Sequence, residues 1–368
     1  MTEIDLKRAR GMPRIASELD EIDPDWLTSA LRERAGGAVV TRAEILASHS
    51  GTTGRARLGL TWDLGARSDL PRSLFVKLQP FDTAQRGFLA VWGIGVAEAR
   101  FYAALRDDLP VRAPEAWFSV WDDDGNFVML LEDLVASGCR FPSPRHPDVL
   151  ERARSTVEEL ARLHAAFWES PRFASDLSWV QSRAGNPDRV QGGGGFVEHA
   201  LERFGDEMGE SFRRLARIFV ARTPDILDLW DQGERTLVHG DAHMGNLFVD
   251  GERTGFLDWA MVARAPGMRD IAYFLCNSVP PEVRRQNERE LLARYREVLA
   301  EHGVDLDPEL AFEQYRLFAV NSWLAATSTA AMGSLWQAER IGRGGMQRAT
   351  AAIEDLDSVG LLESKLGR

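Results

Sequence analysis

The chain contains one short stretch whose polar residues have the identities and separations that magnesium-assisted phosphoryl transfer from a nucleotide demands. It runs His239-Gly240-Asp241-Ala242-His243-Met244-Gly245-Asn246 and is followed by Phe256-Leu257-Asp258-Trp259. Asp241 and Asn246 stand five positions apart. That is the spacing of H-R-D-x-x-x-x-N loops, here with Gly240 in place of arginine. Between Asn246 and Asp258, two apolar runs flank an Asp-Gly turn, the pattern of a β-hairpin. With its centre near Glu252, residues 246 and 258 lie six positions to either side and face each other. Opposed Cα atoms in an antiparallel pair are roughly 4.5–5.5 Å apart. An amide carbonyl and a carboxylate so placed suit Mg²⁺, a hard cation that takes its other ligands from water and phosphate. Asp241 is then the group to orient an acceptor hydroxyl and accept its proton.

These residues need elements to hold them. Leu19 to Arg34 reads as a first helix, and from about Val39 to Leu78 the pattern turns to β. Ala56, Leu58, Leu60, Trp62 and Leu64 alternate with polar positions, and Leu74 to Leu78 is a third strand. A helix is expected from about Asp82 to Asp107, with a break near Gly93 and Gly95. Two more strands, Trp117–Trp121 and Phe127–Leu131, flank a turn. From Pro147 on the chain is mostly helical, interrupted by the hairpin. This predicts an α+β protein with an antiparallel-sheet lobe over residues 1–133 and a helical lobe over 134–368 that carries the catalytic loop and acceptor site.

Within the first lobe, Lys77 sits in the middle of an apolar strand and Glu98 follows 21 residues later on the helix. A lone strand lysine reads as an edge or solvent-facing residue. Paired with a helix carboxylate, it reads as an ammonium held against nucleotide phosphates. The tip around Ser50, Gly51, Thr52 and Thr53 lacks a following Gly-Lys-Ser/Thr, so it is not a Walker loop. It is either a plain hairpin turn or a cover for phosphates, with backbone N–H groups and hydroxyls as donors. Gly192–Gly195 reads as a flexible connection, His239 as a brace for the loop, His243 as a satisfied loop histidine and His164 as core. Asp270 reads as a structural carboxylate that caps its helix and steadies the catalytic loop.

A chain of 368 residues with 44% hydrophobic and 27% charged content has room for two lobes of ordinary globular composition. A formal charge of −12 gives nucleic-acid binding no support. It leans toward cationic acceptors, whereas the 11 Trp and 18 Phe lean toward apolar ones. Two cysteines are too few for a disulfide framework. With no secretory h-region and no membrane-length apolar run, a cytoplasmic location is expected. Nothing in the sequence specifies an oligomeric state.

Six short motifs, in order, make the chain resemble the aminoglycoside phosphotransferase/choline kinase-like family, which includes ecdysteroid kinase-like members. They are Ser-Leu-Phe-Val-Lys-Leu, Glu-Ala-Arg-Phe-Tyr, Met-Leu-Leu-Glu-Asp-Leu, Leu-Ala-Arg-Leu-His, His-Gly-Asp-Ala-His-Met-Gly-Asn and Leu-Asp-Trp-Ala. The resemblance spans roughly Ser48 to Phe274. It implies a bilobal protein-kinase-like fold, ATP with Mg²⁺ as donor, and a small-molecule hydroxyl as acceptor. It also implies that Lys77 binds phosphates, Glu98 orients Lys77, Asp241 is the base, and Asn246 with Asp258 holds metal. Glu132, Asp133 and Leu134 would be the hinge, where backbone groups meet adenine. His243 and Asp258-Trp259-Ala260 depart from the ecdysteroid kinase-like pattern and look more like bacterial members. Only eleven residues separate Asp258 from Asp270, too few for the activation segment a protein substrate needs. The rival readings are a catalytically silent nucleotide-binding module, or a kinase for choline-like, sugar or hydrophobic alcohols rather than an aminoglycoside.

Overall fold

A computed structural model describes residues 13–83, 86, 93–182, 187–333 and 339–367, apart from the side chains of 187–193. The chain divides into two compact units, Met1–Leu109 with Ala113–Arg140, and Pro110–Arg112 with Phe141–Arg368.

The first unit is built on a five-stranded antiparallel sheet: β1 (Val40–Ser50), β2 (Gly54–Trp62), β3 (Ser73–Leu78), β4 (Ala116–Trp121) and β5 (Phe127–Glu132). Their spatial order is β1-β2-β3-β5-β4, so β3 lies in the middle. Period-2 alternation assigns its faces. Ala56, Leu58, Leu60, Leu74, Val76 and Leu78 are buried in one core with Trp26, Leu27 and Leu31 of helix α1 (Pro24–Leu31). The expected helix from Leu19 begins only at Pro24, because Asp23 caps it by accepting the Trp26 amide at 2.8 Å and proline suits the first helical position. Lys77, offset by one from the core positions, belongs to the opposite face. There α2 (Ile94–Ala104) packs against β4 and β5. That approach is close: a Cβ on Gly95 would meet the Phe127 ring at 2.0 Å, so only glycine fits. The rest of the helix expected from Asp82 includes 84–85 and 87–92, which lie outside the described residues.

The second unit is mainly helical. Helices α3 (Val149–Ala166) and α4 (Pro187–Trp230) precede a small β region. The Gly192–Gly195 run lies within α4, so the expected flexible connection is a helix. Strands β6 (Thr236–Val238) and β9 (Ala263–Ala265) pair with each other and enclose the hairpin β7 (Leu247–Asp250) and β8 (Arg253–Phe256). Then come α5 (Met268–Ser278), α6 (Pro281–Glu301), α7 (Pro308–Met332), α8 (Glu339–Asp355) and α9 (Ser358–Lys365). Every residue of α5 is buried, and α7 and α8 pack on it. A helix buried all round is the core of its unit, and this one lies directly beneath the Asp241 loop. Cys139 and Cys276 are free and buried, and burial pushes the Cys276 thiol up to about 12. Among the described residues no helix is long and apolar enough to cross a membrane.

Candidate active site

The loop from β6 to β7 is fixed first through its backbone. The N–H groups of His239 and Gly240 donate to the two oxygens of Asp270, at 2.6 and 2.9 Å. Asp270 is fully buried in the first turn of α5. The cap of that helix is Gly267, so Asp270 does not cap it; of the two expected structural jobs it does the other, holding the loop. Burial alone would push its carboxyl up. The hydrogen bond to His164 (Nε2 at 3.4 Å) and the nearby positive charge, Arg269 included, outweigh that and hold it below the usual carboxylate range. His164, expected in the core, is buried there and also meets the Tyr295 hydroxyl at 2.9 Å. Gly240 has φ +83°, and a Cβ there would meet the Met261 carbonyl oxygen at 2.1 Å. No side chain fits, which explains glycine before Asp241.

His239 braces the loop as its position suggested. Its Nδ1 accepts the Asp241 N–H at 3.2 Å and its Nε2 donates to the Leu257 carbonyl at 3.1 Å. Those two partners fix the neutral tautomer. The ring is fully buried against Trp259, with centroids 4.5 Å apart, and burial pushes its pKa down.

The Asp241 carboxylate receives Asn246 Nδ2 on Oδ2 at 3.0 Å and the Tyr273 hydroxyl on Oδ1 at 2.6 Å. Asn246 Nδ2 also donates to the Asp241 carbonyl at 3.0 Å. Because both partners are acceptors, the amide orientation is determined, and Asn246 turns its Oδ1 away from Asp241. His243 accepts the Gly245 N–H on Nδ1 at 3.0 Å, leaving Nε2 3.6 Å from Asp241 Oδ2.

The hairpin register differs by one from the expected one. Leu247 pairs with Phe256 and Asp250 with Arg253, and the Leu257 N–H donates to the Asn246 carbonyl at 2.9 Å. The centre falls between Gly251 and Glu252, so Asn246 stands opposite Leu257 and Asp258 follows one residue later. Asp258 adopts φ +63°, a left-handed conformation that ends the strand and breaks its alternation. The donor chemistry fits a hard divalent cation: an amide carbonyl oxygen and a carboxylate, with few protein ligands. Among the described residues no group of three or more His, Cys, Asp or Glu is arranged to hold a metal. A cation here would therefore take most of its ligands from phosphate and water.

In the first unit, Lys77 Nζ is ion-paired with the Glu98 carboxylate, and both side chains are buried. Burying two charges costs more than an apolar pair would, so such a pair points to a use beyond stability. The tip between β1 and β2 is folded on itself. The Gly51 N–H donates to the Thr53 carbonyl at 3.1 Å, Thr53 Oγ1 accepts Arg55 Nε at 3.2 Å, and Ser50 Oγ accepts the Phe81 N–H at 3.1 Å. Thr52 is half-buried at its apex. At the end of β5, Glu132 exchanges backbone and side-chain bonds with Glu115. The Asp133 carboxylate is fully engaged by Arg57 at 2.8 Å, Ser73 at 2.7 Å and the amides of Val135 and Ala136. Burial would raise its pKa, but Arg57 and Ser73 hold it below the usual range. The carbonyls of Asp133 and Leu134 accept from Ser137 and Cys139, whereas the Leu134 N–H has no partner among the described residues.

Sequence reasoning missed Tyr273 and Ser278, whose Oγ accepts the Met244 N–H at 2.8 Å. The signal was the i, i+3 spacing of Asp270 and Tyr273, which puts both on the helix face that meets the loop.

No curated protein matches the sequence. Among solved structures, a Ralstonia eutropha JMP134 protein, provisionally described as an aminoglycoside phosphotransferase, is similar at TM-score 0.54 and 14% identity, over 91% of this chain and 98% of that one. A macrolide 2'-phosphotransferase from Brachybacterium faecium gives 0.42 and 18%, over 83% and 95%. A choline kinase from Streptococcus pneumoniae gives 0.46 and 14%, over 86% and 94%. At such identities only the first carries weight, and it speaks for the fold. The sequence model of the phosphotransferase enzyme family, by contrast, matches residues 67–328, well over half of the chain and every candidate residue from Lys77 to Asp258. The chain belongs to that phosphotransferase enzyme family.

Proposed function

We propose that the protein is an ATP- and Mg²⁺-dependent O-phosphotransferase that moves the γ-phosphate to a hydroxyl of a small molecule. The observation that carries this reading is the Asp241 carboxylate, held by Asn246 on a loop whose backbone is anchored to the buried Asp270. Asp241 accepts the acceptor proton as the hydroxyl oxygen bonds to the γ-phosphorus. The bond from that phosphorus to the β–γ bridging oxygen breaks, and its electron pair leaves with ADP. Asn246 Oδ1 and the Asp258 carboxylate would hold Mg²⁺, whose chemistry is to neutralise charge on the phosphate oxygens. Lys77, oriented by Glu98, meets the α- and β-phosphates. The tip at Ser50, Gly51, Thr52 and Thr53 covers phosphates through backbone N–H groups and hydroxyls, for Ser50 and Thr53 only accept in their internal bonds and keep their O–H donors. At the hinge, Glu132 and Asp133 act structurally through their side chains, and the Leu134 N–H is the donor for an adenine nitrogen.

Replacing Asp241 by Ala tests this. Acceptor-dependent ADP release, screened over aminoglycosides, choline-like amino alcohols, sugars and apolar alcohols, should fall by about 10²–10⁴-fold, the range for a lost general base. Calorimetric affinity for Mg-ATP should stay within about threefold, because Asp241 serves the acceptor rather than the nucleotide. A folded variant with undiminished transfer would remove Asp241 as the base.

A further inference from the structure

Asp241 is held from two directions by different parts of the chain. Asn246 comes from its own loop and donates to Oδ2 at 3.0 Å. Tyr273 comes from α5, the buried helix beneath, and donates its hydroxyl to Oδ1 at 2.6 Å. That distance is typical of a charge-assisted O–H···O⁻ bond, roughly twice as strong as a neutral one.

The side chain needs this second hold. Rotation of an aspartate carboxylate about χ2 is broad and nearly two-fold, so one donor on one oxygen leaves its plane loosely set. A donor on each oxygen fixes the plane and decides which lone pairs remain for an incoming hydroxyl. Tyr273 is buried, at 9% exposure, and its helix is buried along its whole length, so the phenol has a fixed origin. One turn earlier on the same helix, Asp270 takes the N–H groups of His239 and Gly240. Two residues at i, i+3 on α5 thus act on different parts of the loop. Asp270 sets its backbone, and Tyr273 sets the carboxylate it carries. A phenylalanine would fill nearly the same space, so the hydroxyl is the part that packing leaves unexplained.

We propose that Tyr273 is a positioning residue of the transfer reaction, whose hydroxyl holds the Asp241 carboxylate in the orientation from which it meets the acceptor. The proposal rests on Asp241 being the base, so the experiment carries a control for that reading.

Tyr273→Phe is compared with wild type, with Asp241→Asn and with the double variant. Rates are read for Mg-ATP hydrolysis with water as acceptor and for transfer to the best hydroxyl compound from the screen. Misplacement of a reacting group by about 1 Å can cost on the order of 100-fold. The expected result is therefore a kcat about 10–100-fold lower, with KM for Mg-ATP within about threefold. On the Asp241→Asn background, Tyr273→Phe should cause no further loss, because both changes strike one unit. Wild-type turnover in Tyr273→Phe, with Asp241→Asn inactive, overturns the role of Tyr273 and leaves the base assignment standing. A Tyr273→Phe loss repeated in full on the Asp241→Asn background marks a merely structural effect and overturns it too. Full activity in Asp241→Asn sinks the base assignment, and this proposal with it. Crystals of wild type and Tyr273→Phe with Mg²⁺ and a non-hydrolysable ATP analogue give an arm independent of turnover. The carboxylate should keep its bond to the phenol in wild type and rotate in the variant. An absent bond or an unmoved carboxylate counts against the proposal. If Tyr273→Phe does not fold, Tyr273→Met, also without a donor, takes its place.

Discussion

His239 performs its work as a neutral ring, and that has a measurable consequence. Its Nδ1 accepts from Asp241 and its Nε2 donates to Leu257, so a second ring proton would face the Asp241 N–H donor. Burial pushes its pKa below the ordinary value. In the unfolded chain the ring is exposed and titrates near 6.5. As the pH falls through that value the unfolded state takes up a proton that the folded state refuses, so the folded state is stabilised less. The loss begins near the unfolded-state pKa and continues down to the lower folded one. Asparagine offers an oxygen close to where Nδ1 stands and does not titrate. We expect His239→Asn to be less stable than wild type near pH 7.5, yet to lose less of its remaining stability by about pH 5.5. Urea midpoints at the two pH values in both proteins measure this, and parallel pH slopes would show that His239 is not the group refusing the proton.

Helix α5 acts as the template for the loop above it. Its apolar residues bury it, and Asp270 and Tyr273 reach from it to the residues around Asp241. Asp270→Asn offers one carbonyl oxygen to two N–H groups and turns an NH₂ donor toward one of them. Leaving a buried N–H unsatisfied beside a misplaced donor costs about 2–4 kcal/mol. We expect a lower thermal midpoint together with a lower kcat, while a surface change such as Asp123→Asn leaves both alone; an unchanged midpoint for Asp270→Asn would mean the loop is held elsewhere. These contacts also mark where the sequence is legible. The strands of the first unit follow from strict alternation, the Asp241–Asn246 spacing stands in six letters, and the strand position of Lys77 follows from the apolar run around it. The hairpin was legible as a hairpin but not in register, because the Asp-Gly turn does not reveal how many residues the turn takes. Tyr273 was legible only as a residue sharing a helix face with Asp270, three positions earlier. A tyrosine in an apolar helix carries no mark of which side chain its hydroxyl will meet, and that partner lies 32 residues away in the chain.

The chain between the proposed metal aspartate and the anchoring one bears on which acceptors the whole molecule accepts. After Asp258 come a 3₁₀ turn over Trp259–Met261, strand β9 paired to β6, and then α5 from Met268. Trp259, Val262, Ala263 and Ala265 are buried. Most of the interval is thus spent on closing the core, and none of it forms an exposed segment along which an extended peptide could lie. Protein kinases use the corresponding interval, up to their A-P-E motif, for such a segment. On the proposed reading, we expect the acceptor hydroxyl to reach Asp241 on a compact molecule rather than on a polypeptide in extended form. Casein and serine- or threonine-containing peptides should release ADP no faster than the acceptor-free background, while at least one small hydroxyl compound raises it well above that level. Radiolabelled transfer from γ-labelled ATP separates the cases. A peptide with kcat/KM equal to that of the best small acceptor would mean that a surface other than the 259–269 interval docks a chain.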